Sequence, residues 1–211
     1  MKDPQNRYLT EYSQQQDDVL CWLEKQTHLR TSHGRMLCGP VVGKLLEMIS
    51  GMIAPSSILE LGAFTGYSSI CLARGLKEDG HLHSIEINDE LEDLILEAHA
   101  KAGLQDKITL HLGDAEQIIK ALDIKYDLVF IDANKREYCK YYEMVFDYVK
   151  PGGYILADNV LWDGKVYQDP LPTDAQTQGI YNFNKMIKED PRVENVIIPL
   201  RDGLNLIRVC K

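Results

Sequence analysis

The chain has no run of basic residues: 23 Lys and Arg stand against 32 Asp and Glu, a formal charge of −9. That balance argues against a general grip on nucleic acid or on an anionic membrane, both of which need a basic face. Long hydrophobic runs are equally scarce. No stretch approaches the roughly 20 apolar residues that cross a bilayer, and the start, Met1 to Arg7, is polar where a secretory signal would be apolar. The five cysteines (Cys21, Cys38, Cys71, Cys139, Cys210) form no Cys-x-x-Cys. Neither a disulfide framework nor a zinc knuckle is therefore expected, and reduced thiols in a cytoplasmic protein are the simplest reading. The G-x-S-x-G nucleophile turn is missing too, which leaves covalent acyl chemistry without support.

What is present is the composition of an ordinary globular chain, 211 residues with 45% hydrophobic and 26% charged. One domain over 1–211 is expected, with an N-terminal helical extension over 1–33 and a core over 34–211. Met36 to Ile53 carries Val42, Leu45, Leu46 and Ile49 at helical spacing. Beyond Pro55 a regular alternation begins. Ser57–Leu61, His81–Ile87, Ile108–Leu112, Leu128–Ile131 and Tyr154–Ala157 read as strands. Tyr67–Leu76, Glu90–Ala102, Ala115–Leu122 and Lys135–Val149 read as the helices between them. Near-continuous apolar strands separated by helices predict an α/β fold, a mostly parallel central sheet with helices on both faces. Val193–Pro199 and Leu204–Val209 flank Arg201-Asp202-Gly203, which predicts a C-terminal hairpin and one antiparallel strand.

Ligands of such sheets bind beyond the carboxyl ends of the strands. The first strand runs through Glu60, Leu61 and Gly62 into Gly66, Tyr67 and Ser68 at the start of a helix. Two glycines allow a tight turn close to a ligand, the helix start offers free N–H groups, and Ser68 adds a hydroxyl. The second strand ends on Glu86, placed to accept hydrogen bonds from the two hydroxyls of a ribose. A nicotinamide dehydrogenase or other nucleotide-binding module would satisfy part of this logic. Yet Gly62 and Gly66 are spaced G-x-x-x-G rather than G-x-G-x-x-G, and Glu60 would repel a pyrophosphate while attracting an ammonium. A cofactor with ammonium, carboxylate and ribose fits better.

The fourth and fifth strands end on Asp132 and on Asp158-Asn159. Two carboxylates and an amide oxygen at neighbouring strand ends suit magnesium, manganese or calcium, although either segment alone reads as a helix cap or loop opening. Lys135, three residues past Asp132, is a candidate base, because a nearby cation would depress its pKa. His81 and His83 share a strand face, but no third ligand is placed, so strand surface is expected of them.

These segments resemble the cation-dependent class I O-methyltransferases, which include catechol and plant caffeoyl-CoA enzymes and bacterial relatives. The resemblance covers about residues 34 to 211. It rests on Glu60-Leu-Gly-Ala-Phe-Thr-Gly-Tyr-Ser68, Asp132-Ala-Asn-Lys-Arg-Glu-Tyr138, the segment from Gly152 through Asp158-Asn159 to Gly164, and Asp202-Gly203. It implies a Rossmann-like methyltransferase fold and S-adenosylmethionine as cofactor. Gly62, Ala63 and Ser68 would hold the methionine part, Glu86 the ribose and Ala115 the adenine, with Met36, Cys38, Glu60 and Asp132 also lining the cofactor. It assigns Asp132, Asp158 and Asn159 to a divalent metal, and Asp163 and Asp202 to the substrate. With Val42 where the animal catechol enzyme has a lysine, Lys135 is the base that remains. The implied reaction is methyl transfer to a small phenolic substrate of catechol type, in a homodimer. A metal-independent small-molecule methyltransferase and, less well matched, a nicotinamide dehydrogenase stand as alternatives.

Overall fold

The apolar runs become strands of one mixed sheet in the computed structural model, which describes residues 4–210. The chain opens with α1 (Pro4–Tyr12), α2 (Asp18–Arg30) and α3 (Gly39–Ile53). There follow β1 (Ser57–Leu61), α4 (Tyr67–Ala73), β2 (His81–Glu86), α5 (Glu92–Lys101), β3 (Ile108–Leu112) and α6 (Ala115–Leu122). The second half holds β4 (Tyr126–Ile131), α7 (Tyr138–Phe146), β5 (Val149–Asp158), α8 (Ala175–Glu189), β6 (Val193–Ile198) and β7 (Leu204–Val209). Strand order is β3-β2-β1-β4-β5-β7-β6, and β7 alone runs antiparallel to its neighbours, as the terminal hairpin predicts.

The structure divides into two compact units, Met1–Ser56 with Ala63–Asp114, and Ser57–Gly62 with Ala115–Lys211. In the first, β2 and β3 pair in parallel, and α3 packs against α4. Asp17 caps α2 by accepting a hydrogen bond from the Leu20 N–H at 2.9 Å, one of the donors a helix start leaves free. Leu20, Leu23, Leu46, Ile70 and Leu72 are buried here. In the second unit β4 lies between β1 and β5, and Leu128, Val129, Phe130 and Ile131 are wholly buried. Strands buried on both faces have no polar face to show, which is why β4 reads as an unbroken apolar run.

Four details depart from the sequence reading. The segment Gly34–Ile53 has the length and mean hydropathy, 1.4, of a membrane-crossing helix, against the expectation that nothing approaches one. Its regular part, however, starts only at Gly39, about 22 Å long at 1.5 Å per residue. Val42, Leu46 and Ile49 are buried and α3 packs against α4, so α3 is a core helix. The helix expected over Lys135–Val149 opens as a 3-10 turn, Lys135–Glu137, and ends at Phe146. Strand β5 is longer than expected because it takes in Pro151-Gly152-Gly153, with a register irregularity opposite Tyr126 and Leu128. Helix α8 was not anticipated. It is capped by Asp174, which accepts from the Thr177 N–H at 3.0 Å, and it buries Ile180, Phe183 and Ile187.

Candidate active site

Two groups of predicted site residues are assembled, one in each unit. The first surrounds the turn after β1. Gly66 caps α4 at φ 86°, a backbone state that glycine enters without steric penalty. The same turn is braced from two sides. Thr65 shares a 2.9 Å hydrogen bond with Thr27 of α2, and a Cβ at position 66 would lie 3.1 Å from the His99 ring of α5. Glu86 is buried and accepts three backbone hydrogen bonds: from Phe64 at 2.7 Å on one oxygen, and from Ile87 and Asn88 at 3.0 Å each on the other. A carboxylate has about four acceptor positions, so one remains for a ligand. Ser68 is buried in the first turn of α4, and Cys38 is buried just ahead of α3. Met36 ends a 3-10 turn and is 58% exposed.

The second group is built where β1, β4 and β5 end. Register pairs Leu61 with Ile131 and Ile131 with Ala157, so Gly62, Asp132 and Asp158 follow at the ends of three adjacent strands. Gly62, at φ 94°, is a position where a Cβ would fall 2.1 Å from the Asp132 carbonyl oxygen; no other residue fits. Glu60 is wholly buried on β1, and Ala115 begins α6.

Lys135 donates to an Asp132 carboxylate oxygen at 2.5 Å and to the Tyr138 hydroxyl at 2.7 Å. That hydroxyl lies 2.9 Å from the Asp158 carbonyl oxygen and 3.3 Å from that of Ile131. Tyr138 thus ties the lysine to the ends of both β4 and β5. The sequence reading gave it no role; its signal was its place three residues after Lys135 in a turn that becomes helical. Helix α8 braces the same turn from outside, since a Cβ on Gly179 would lie 2.4 Å from the Lys135 carbonyl oxygen.

Asp158 is buried, and one oxygen accepts from the Asn159 N–H at 2.8 Å. Burial, with Asp132 beside it, pushes its carboxyl well above the usual carboxylate range, while Lys135 pulls it down. Asn159 itself adopts φ 60°. Beyond it Trp162, Asp163 and Gly164 all have left-handed backbones, and the Asp163 N–H donates to Asp202 at 2.5 Å. Burial, with Asp163 nearby, raises the Asp202 carboxyl, and Lys135 again acts against the rise. The indole N–H of Trp162 is buried with no hydrogen-bond partner among the described residues, a donor next to Asp163 in the chain that sequence reasoning missed. Among the described residues no group of three or more His, Cys, Asp or Glu is arranged to hold a metal ion. Any ion at Asp132 and Asp158 would need a neutral third donor, and Asn159 is the one adjacent in sequence.

A mostly parallel sheet closed by an antiparallel hairpin is shared with known proteins. The O-methyltransferase family matches residues 10–210. Caffeoyl-CoA O-methyltransferase 2 of Populus trichocarpa is 35% identical over 183 residues, 80% of this chain and 73% of that one. Tapetum-specific methyltransferase 1 of Arabidopsis thaliana is 37% identical, over 77% and 73%. Among solved structures, the O-methyltransferase TomG from Streptomyces achromogenes, in complex with SAM, superposes with a TM-score of 0.90. It is 29% identical, and the match covers 99% of this chain and 100% of that one. An O-methyltransferase from Bacillus cereus, in complex with SAH, gives 0.88 at 27% identity, over 96% of each chain. The chain belongs to the O-methyltransferase family. Its reaction is S-adenosylmethionine-dependent methyl transfer to oxygen.

Proposed function

We propose that the acceptor is a phenolic hydroxyl of a vicinal diphenol and that the reaction uses a divalent metal ion held by Asp132, Asp158 and Asn159. The observation that carries this reading is a cationic side chain and two carboxylates at the ends of paired strands, one of them raised by burial and then by its neighbour. Two carboxylates and an amide oxygen form a hard donor set of the kind magnesium and manganese take. A bound ion would supply Lewis acidity that makes a phenol near it easier to ionise. The caffeoyl group named for several relatives is itself a vicinal diphenol, which supports the substrate class.

The chain's own residues do the rest. Lys135, only 11% exposed, sits where it can act as the base: once its bond to Asp132 is exchanged for the substrate and its ammonium has released a proton to water, the neutral amine can receive the phenolic proton. Tyr138 fixes the amine's direction by its hydroxyl. Asp163 and Asp202, with the Trp162 indole N–H, offer polar contacts to the rest of the acceptor. Gly62, Ala63 and Ser68 would hold the methionine part of the cofactor, Glu86 its ribose and Ala115 its adenine, with Met36, Cys38 and Glu60 alongside. The positive sulfur of the cofactor makes the methyl group reactive, so holding oxygen and methyl at roughly 3 Å supplies much of the rate.

One observation favours a second reading. Lys135 already neutralises Asp132, which is part of what a metal would do, and a metal-independent methyltransferase acting on a small molecule follows from it. The deciding experiment assays EDTA-stripped protein against catechols, caffeoyl esters and flavonoids, with and without added magnesium or manganese. Methylated product only after metal is restored supports the first reading; full turnover without metal establishes the second.

A further inference from the structure

The sequence pattern places His81 and His83 on one face of β2 but supplies no further ligand; the structure brings one from the neighbouring strand. Parallel pairing sets His83 opposite Thr109 and Ile85 opposite His111, so four polar side chains of β2 and β3 share a face. His83 Nδ1 and His111 Nε2 approach to 3.0 Å, with their rings stacked at 5.2 Å. The His81 ring lies 4.9 Å from that of His83, and its Nε2 bonds the Thr109 hydroxyl at 2.7 Å. None of these residues belongs to either group of candidate site residues.

We infer that His83 Nδ1 and His111 Nε2 form a two-nitrogen chelate for a divalent transition-metal ion of tetragonal preference, copper(II) or nickel(II). Imidazole nitrogens bind such ions at about 2.0–2.1 Å. Two nitrogens 3.0 Å apart at that range subtend about 90° at the ion, the adjacent-ligand angle of square-planar or tetragonal sites rather than the wider tetrahedral angle of zinc. The chemistry balances without a net proton. In the free pair one nitrogen donates to the other; on binding, the donor ring moves its hydrogen to its second nitrogen, and both lone pairs face the ion. Water fills the remaining positions.

Charge favours the same outcome. Burial and the two neighbouring rings hold His83 down near pH 4, and burial lowers His81 and His111 as well. All three are therefore neutral in ordinary buffer, the form that ligates. An ion here would clasp the edge strand β3 to β2, the strand that ends on Glu86.

The test uses the full chain, stripped with EDTA, desalted and titrated with copper(II), on an Asp132→Asn background that weakens the acidic cluster as a competitor. Calorimetry is expected to show one equivalent bound, and electron paramagnetic resonance to show splitting from two nitrogens. His111→Gln, on the edge strand where folding is least at stake, should weaken binding at least tenfold and leave one nitrogen at most. Nickel(II) should raise the thermal midpoint of the parent and not of that variant. His28→Gln with His33→Gln, the two histidines near the end of α2, should change neither readout. A two-nitrogen signal that survives His111→Gln, or copper bound through oxygen alone, would overturn the assignment.

Discussion

The two groups of candidate site residues, one in each unit, handle negative charge in opposite ways. At the end of β2 the Glu86 carboxylate is satisfied by three backbone N–H groups, fixed by the local chain path. At the ends of β4 and β5, Asp132 is held by the ammonium of a lysine side chain, and buried Asp158 has one backbone N–H and a like charge for company. The first group is finished by folding. The second retains an electrostatic conflict that a ligand would relieve, and buried polar groups left in conflict are where function is expected.

The contrast breaks most visibly at Asp158. Asp158→Ala should abolish most turnover while the circular dichroism spectrum stays that of the parent, because the replaced carboxylate contributes conflict rather than stability. A variant with parent turnover would show that the acidic cluster is only structural. Lys135→Met comes next, with an expected loss of about 10²–10⁴ in kcat, the usual cost of removing a general base. Its affinity for S-adenosylhomocysteine should barely move, and the deficit should shrink with substrates whose phenol is already ionised.

Glu86→Ala addresses the finished group. It should cost about 1.5–3 kcal/mol of S-adenosylhomocysteine affinity, the range for hydrogen bonds to a charged group, read by calorimetry. Glu86→Gln sharpens the point: an amide that keeps the Phe64 contact should recover part of the loss, since three backbone donors lean on this side chain. Unchanged affinity in both variants would remove Glu86 from the cofactor site. The smallest effect concerns His99, fully buried behind Gly66 and held neutral to about pH 4 by burial alone. Its folded pKa lies below the unfolded value, so the unfolded chain takes up the proton first. The stability associated with the neutral ring is complete above about pH 6.5 and declines as pH falls toward 4. His99→Leu should flatten that decline in urea midpoints measured between pH 7 and 5.

How far the sequence could be read follows the same division. Strands β1, β3 and β7 carry the bounds read from their apolar runs; in β1 four successive residues are buried, so no alternative pattern competes, whereas the edge strand β3 is legible from its length and flanks alone. Glu86, Asp132 and Asp158 were legible as acidic residues ending such runs. What was hidden depends on contacts distant in sequence. Helix α8 has its apolar residues at Ile180, Phe183 and Ile187 amid polar ones, and its packing on the Lys135 turn decides it. The left-handed run Trp162–Gly164 includes two residues for which that conformation is uncommon, so no local preference announces it. Strand β5 absorbs Pro151-Gly152-Gly153, which by themselves read as a turn. The His111 partner of His83 appears only once the parallel register is known.

Gly179 has a bearing on how this enzyme can be redesigned. The backbone of α8 lies directly on that of Lys135 and Arg136, with room for hydrogen and nothing larger. Upstream, Asp174 grips the first turn of the helix through both the N–H and the hydroxyl of Thr177. Residues 165–173 are therefore a cassette between two fixed anchors, the left-handed corner ending at Gly164 and the cap at Asp174. Libraries aimed at a different acceptor can vary the sequence of that cassette, and even its length. A graft that carried its border past 174 and put alanine at 179 would shift the lysine it was meant to serve.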